Sequence, residues 1–162
     1  MSSTLPISII LDCNLWIDLI RDHPSGFRSK LLSGRLIIII SSYMAVEILR
    51  TLRRLAGRID VRYKDLADLF WHFVQNSCIK VAFQQPLSES LVRETRNIPE
   101  MQIIAKMLGL EVKDVPYIVC AYEHSAILVT IDYRSILNKR EIIEDRIGVL
   151  VIDKDELSDK FF

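Results

Sequence analysis

Four acidic residues stand where an α/β chain tends to place its chemistry. Asp12 follows an apolar run at 7–11, and Asp132 follows another at 126–131, with Thr130 two residues earlier. Asp114 opens the apolar stretch that leads into the second run, and Glu47 lies just over one turn into the helical pattern after a run at 36–40. In open parallel sheets ligands bind beyond the carboxyl ends of the strands. Four acids from four separate segments are therefore candidates for one sheet edge. Gathered carboxylates repel, by about 4 kcal/mol for a pair about 4 Å apart at an effective dielectric of about 20. Such a cluster persists if it binds cations or if some members stay protonated. Hard oxygen donors select Mg²⁺ or Mn²⁺ over zinc. One or two such ions lower the pKa of a bound water, steady an in-line phosphoryl displacement and neutralise the leaving oxygen. This is the chemistry of phosphodiester cleavage, and it needs no histidine. Taken singly, each acid has a plainer reading. Asp12 and Asp132 could each start a turn, Glu47 could pair with Arg50 along its helix, and Asp114 could be an N-cap. Spacing alone does not make the four converge.

Other chemistries have less to work with. The three cysteines, Cys13, Cys78 and Cys120, are odd in number and form no C-x-x-C pair, which suits neither a disulfide framework nor a zinc site. Cys13 reads as a small packed residue rather than a nucleophile. His23, His72 and His124 lie far apart and lack metal-ligand spacing. This cysteine usage points to a reducing, cytoplasmic compartment.

The elements that must position the acids alternate. Short Ile- and Val-rich runs at 7–11, 36–40, 79–83, 126–131 and 149–152 read as strands buried on both faces. Between them lie helical patterns at 15–21 (after Asn14 as N-cap), 25–32, 43–56 (stopping at Gly57), 61–75, 88–97, 100–108, 115–124 and 133–145. Strands alternating with helices imply an α/β domain, a parallel sheet of about five strands with helices on both faces. The chain of 162 residues and 18.8 kDa suits one domain, 1–162, with a core at about 6–153 and a short tail at 154–162. The longest apolar runs span five or six residues, too few for a membrane span, and the first residues carry no basic or cleavage-site signature of a signal peptide.

Taken in order, these segments resemble the PIN-domain nucleases. Residues 9–18, IILDCNLWID, look like the family's opening, an aspartate after the first strand with Asn or Ser two residues on. Residues 40–50, ISSYMAVEILR, look like its second motif, a Ser-containing turn before a helical glutamate. Asp114 with its apolar helix, and then residues 125–132, SAILVTID, resemble the third and fourth. The resemblance covers about residues 6–153, and it is the ordered set of four that is specific. It implies a PIN-like single domain and a Mg²⁺- or Mn²⁺-dependent endoribonuclease, with Asp12, Glu47, Asp114 and Asp132 as catalytic and metal-ligating residues. It further implies that Asn14 and Thr130 orient the carboxylates or a water. By the same analogy the 3′-oxygen leaves, giving a 5′-phosphate. A single domain of this size is similar to the VapC-like toxins of type II toxin–antitoxin pairs, which implies a homodimer and a small antitoxin as partners. Two departures stand out. Pro116 biases Val115 away from helical geometry just after Asp114. Tyr133-Arg134-Ser135 follow Asp132, where the family often has a further acid or Asn.

Charge adds a second feature. Lys plus Arg and Asp plus Glu are 21 each, so the net charge is zero and bulk attraction to nucleic acid is excluded. The sum hides a local basic segment: Arg50, Arg53, Arg54, Arg58, Arg62 and Lys64 lie within fifteen residues, where Asp60 is the only acid. Glu47, Arg50 and Arg54 fall on one helical face, so an RNA backbone passing over the acids would meet cations, with Arg50, Arg53, Arg54 and Arg58 as its contacts. The plainer alternative is a solvated helix face. Trp16, Trp71, Phe70 and Phe73 read as core or dimer contact before base-stacking platforms. Two rival functions remain open: a PIN-fold module that binds RNA or protein without catalysis, and a small α/β phosphatase with Asp12 as nucleophile.

Overall fold

The computed structural model describes residues 6–162, so the reading of the first residues as lacking a signal peptide lies outside it. Five strands, β1 (Ile7–Leu11), β2 (Leu36–Ser41), β3 (Ile79–Ala82), β4 (Ile127–Val129) and β5 (Val151–Ile152), form one sheet in the order β3-β2-β1-β4-β5, and every pairing is parallel. The helices are α1 (Cys13–Arg21), α2 (Phe27–Leu31), α3 (Ser42–Ile59), α4 (Tyr63–Val74), α5 (Leu91–Arg96), α6 (Pro99–Leu108), α7 (Val115–Glu123), α8 (Arg140–Ile147) and α9 (Lys154–Phe161). The order places β1 at the centre, with the chain leaving it to one side through β2 and to the other through β4. The ends of β1, β2 and β4 therefore lie side by side, and Asp12, Ser41 and Thr130 follow or close them.

The central strands are buried because their runs are apolar on both faces. Ile9, Ile10, Leu11, Ile38, Ile40, Leu128 and Val129 are fully enclosed. β3, at one edge of the sheet, departs from the expected two-sided burial, with Lys80 and Val81 exposed, whereas Val151 and Ile152 of β5 at the other edge are buried. Trp16 and Phe70, packed edge-to-face with centroids 5.9 Å apart, have no exposure, and Phe73 is buried beside them. These aromatics belong to the core and offer no platform for bases.

Local signals shift several boundaries. α1 begins at Cys13, and its N-cap is Asp12 rather than Asn14: extended at φ −60° and ψ 157°, the Asp12 carboxylate accepts from the Cys13 N–H. α3 runs through Gly57 to Ile59 and stops at Asp60, which takes the left-handed conformation at φ 54°. A glycine costs a helix interior only about 1 kcal/mol, which packing of the rest of α3 overrides. Pro116 does not displace Val115, which is helical at φ −63° and ψ −41°; the proline falls in the first turn of α7, where a missing N–H is harmless. The pattern at 133–145 resolves into a turn, a 3-10 segment at Leu137–Lys139 and then α8. Residues 154–162 hold α9, fixed by a capping box between Asp153 and Glu156 and by the fully buried Leu157. Among the described residues no helix is long and apolar enough to cross a membrane.

Candidate functional site

Asp12 sits at the junction of β1 and α1. Its N–H donates to the Val129 carbonyl at 2.9 Å, tying it to β4. Its Oδ1 accepts from Cys13 N at 2.8 Å and its Oδ2 from Thr130 Oγ1 at 2.8 Å. Thr130 is fully buried and its Oγ1 also accepts from Asp132 N at 3.0 Å, so one hydroxyl bridges two of the acids. Asp132 Oδ1 accepts from Ser135 N at 3.0 Å, and the Asp132 carbonyl accepts from Ile136 and Leu137. Of the three residues that follow Asp132 in place of a further acid, Ser135 fixes its carboxylate, through the backbone N–H. Asn14 is exposed on α1, two residues past the cap position that Asp12 occupies, and does not join the acids.

Asp114 closes a 3-10 segment, Val112–Asp114, and its backbone occupies the N-cap position of α7 without its side chain capping anything. It is only 6% exposed. Its Oδ2 is one of two buried side-chain polar atoms without a hydrogen-bond partner among the described residues; the other is Trp16 Nε1 in the core. Burial first, and then the charges of Asp12 and Asp132 against the opposing Lys113, push the Asp114 carboxyl up to about 7. Asp12 is raised as well, by burial above all, while the Thr130 and Cys13 hydrogen bonds pull the other way. These acids thus feel one another through a largely dry interior. The Cys13 thiol, pushed up to about 12 by burial and donating to Thr51 Oγ1 at 3.4 Å, is a packed residue and no nucleophile at neutral pH.

Glu47 has a different environment. Arg96 Nη2 pairs with its Oε2 at 2.9 Å, and the Tyr117 hydroxyl donates to its Oε1. The Tyr43 hydroxyl lies 3.3 Å from Oε2, donates to the Lys113 carbonyl at 2.9 Å and accepts from Arg96 Nε at 3.0 Å. Burial, then the charge of Glu47, raises both phenols, so each stays a donor. Arg96 lies in the helical pattern at 88–97, 49 residues from its partner. The usable signal for this cluster was Tyr43 four residues before Glu47, on the same helical face.

No group of three or more His, Cys, Asp or Glu among the described residues is gathered tightly enough to hold a metal ion as it stands. The donor chemistry nonetheless fits a hard cation. Asp114 offers a buried oxygen with no partner, and Asp12 and Asp132 are held in place by donors that leave lone pairs free.

The arginines divide. Arg50 and Arg53, with Arg93 from α5, line a groove of about 630 Å³ together with Val46, Leu49 and Tyr63; none of the four acids lines it. Arg53 also lies over the Tyr63 ring at 4.8 Å and 3.7 Å from Glu89. Arg54 instead donates to Thr51 Oγ1 at 3.3 Å, so the expected sharing of one face by Arg50 and Arg54 does not bring them to one surface feature. Arg58 is exposed and outside the groove, while Arg62 and Lys64 pair with Asp65 and Asp68.

The sequence matches no protein-family profile and no curated protein. Solved structures do match. The chain is similar to VapBC2 from Rickettsia felis, solved bound to a DNA fragment from its promoter, with a TM-score of 0.56, 16% identity, and 91% of this chain and 98% of that one covered. It is likewise similar to PAE2754 from Pyrobaculum aerophilum, with a TM-score of 0.57, 19% identity and coverage of 97% and 98%. The fold is therefore the PIN-like α/β architecture, across nearly the whole chain.

Proposed function

We propose that this protein is a Mg²⁺- or Mn²⁺-dependent endoribonuclease acting as the toxin of a toxin–antitoxin pair. The observation that carries the reading is the unpartnered Asp114 oxygen, buried beside two further carboxylates and raised to about 7. Such an arrangement is costly unless a cation completes it. Asp12, Asp114 and Asp132 would hold the ion. When bound, the ion supplies Lewis acidity toward water and the scissile phosphate.

The chain's own residues do the rest. Thr130 and Cys13 N orient Asp12, and Ser135 N orients Asp132. Asp114, with its carboxyl deprotonated, would offer the ion its free buried oxygen. Arg50 and Arg53 receive the RNA phosphates along the groove. Pairing of two copies and capture by a small antitoxin belong to the same reading. Exposed Ile103, Met107 and Tyr122, on α6 and α7, supply apolar surface for such contacts. The VapBC2 likeness supports the toxin assignment through its fold.

The test is cleavage of single-stranded RNA by the purified protein with Mn²⁺ and with excess EDTA. Cleavage only with the ion is expected; full cleavage in EDTA would sink the reading. One observation favours the rival binding module, namely that Arg96 already neutralises Glu47. Metal titration separates the two, because a module would bind RNA without binding Mn²⁺.

A further inference from the structure

Glu47 is the site acid that the structure treats differently, and the difference has a chemical consequence. Asp114 has a free buried oxygen, whereas both oxygens of Glu47 are taken: Oε2 by Arg96 at 2.9 Å and Oε1 by the Tyr117 hydroxyl. The Glu47 and Arg96 side chains are 16% and 32% exposed, so water screens their attraction only in part. Arg96 is itself fixed. Its Nε donates to Tyr43 at 3.0 Å and its guanidinium lies 5.9 Å from the Tyr43 ring centre. Tyr43 and Tyr117 pack edge-to-face with centroids 5.9 Å apart. The Tyr43 hydroxyl passes the connection on to the carbonyl of Lys113, the residue before Asp114.

We propose that Arg96 is a positioning residue that locks Glu47 into a neutral pair beside the metal site and so leaves ion ligation to Asp12, Asp114 and Asp132. The proposal rests on the functional reading above. It replaces a four-acid ligand set by three acids and an internal ion pair. The site then carries one negative charge fewer toward a divalent cation than its acids alone imply.

The test is calorimetric titration of Mn²⁺ into metal-free protein, comparing wild type, Arg96→Gln and the charge-balanced Glu47→Gln/Arg96→Gln double variant. Two neutral amides replace the ion pair without changing net charge, so the double variant is expected to bind Mn²⁺ within about threefold of wild type. Arg96→Gln frees the Glu47 charge and is expected to tighten binding about fivefold. A merely structural arginine would not tighten it. Weakening in the double variant as large as that caused by Asp12→Asn, which removes a direct ligand, would overturn the proposal. So would unchanged or weaker binding in Arg96→Gln. Should either variant fail to show wild-type near-ultraviolet dichroism, Glu47→Gln alone decides. A loss smaller than that of Asp12→Asn supports the pair, and one as large overturns it. Absence of Mn²⁺ binding by wild type itself would instead bring down the functional reading, and the proposal with it.

Discussion

Thr130 Oγ1 donates to Asp12 Oδ2 at 2.8 Å although 118 residues separate the two in sequence. The bond exists because β1 and β4 are neighbours in register, with Leu11 opposite Val129. The same hydroxyl accepts from Asp132 N, so one buried side chain sets the spacing of two carboxylates.

Replacing this hydroxyl by a methyl should therefore be felt in both stability and metal binding. Thr130→Val keeps the shape but leaves the Asp132 N–H and an Asp12 oxygen without their partner, and an unfolding free energy lower by about 1–3 kcal/mol is expected in urea denaturation. It also removes a bond that holds the Asp12 carboxyl down, so Mn²⁺ affinity should fall. Unchanged stability would mean that water replaces the hydroxyl at no cost.

Asp114 gives a pH dependence of unusual sign. Its folded carboxyl, at about 7, lies above the 3.8 of an unperturbed aspartate. Between these values the folded state binds more protons than the unfolded one, so this group's contribution is fully present below about pH 4 and is lost as pH rises through about 7. The melting temperature of metal-free protein should contain a component that falls over this window. Asp114→Asn should remove it and, at pH 8 without metal, be more stable than wild type by about 1–3 kcal/mol while losing nuclease activity. Mn²⁺ at about a hundred times its dissociation constant should stabilise wild type by about 2.7 kcal/mol and the variant by much less. A falling component that persists in Asp114→Asn would assign the titration elsewhere.

The groove arginines should separate from their neighbours in RNA binding. Arg50→Ala, Arg53→Ala and Arg93→Ala are each expected to weaken binding of single-stranded RNA and to reduce the salt slope by about 0.7 for each phosphate left without its cation. Arg58→Ala, outside the groove, should do neither. Equal effects at all four positions, measured by fluorescence anisotropy over a range of salt, would point to diffuse attraction instead.

Much of this was legible in the sequence, and the rest was hidden for identifiable reasons. Ile- and Val-rich runs mark the five strands, and in all but β3 they do so because buried parallel strands are apolar on both faces. Asp12 and Asp132 are readable as strand-end acids for the same reason. Asn14 misled because Asn and Asp are about equally good N-caps, and only the backbone shows that α1 starts at Cys13. Gly57 misled because a helix ends where a left-handed residue is available, here Asp60, rather than at each glycine. Arg96 could not be read at all. Its partner lies 49 residues away, and the packing of α5 on α3 depends on tertiary structure that no local pattern encodes. The division of the arginines into groove and non-groove positions likewise needed Arg93 and Tyr63, which come from other elements.

Whether the carboxylates at the ends of β1 and β4 cleave RNA with a divalent cation comes down to one assay. Wild type and Asp12→Asn are compared for cleavage of single-stranded RNA in Mn²⁺, with melting curves to show that both are folded. The expected result is cleavage by wild type that excess EDTA abolishes, and loss of at least about a hundredfold in the folded variant. Cleavage by folded Asp12→Asn at the wild-type rate would mean that these carboxylates do not carry the reaction.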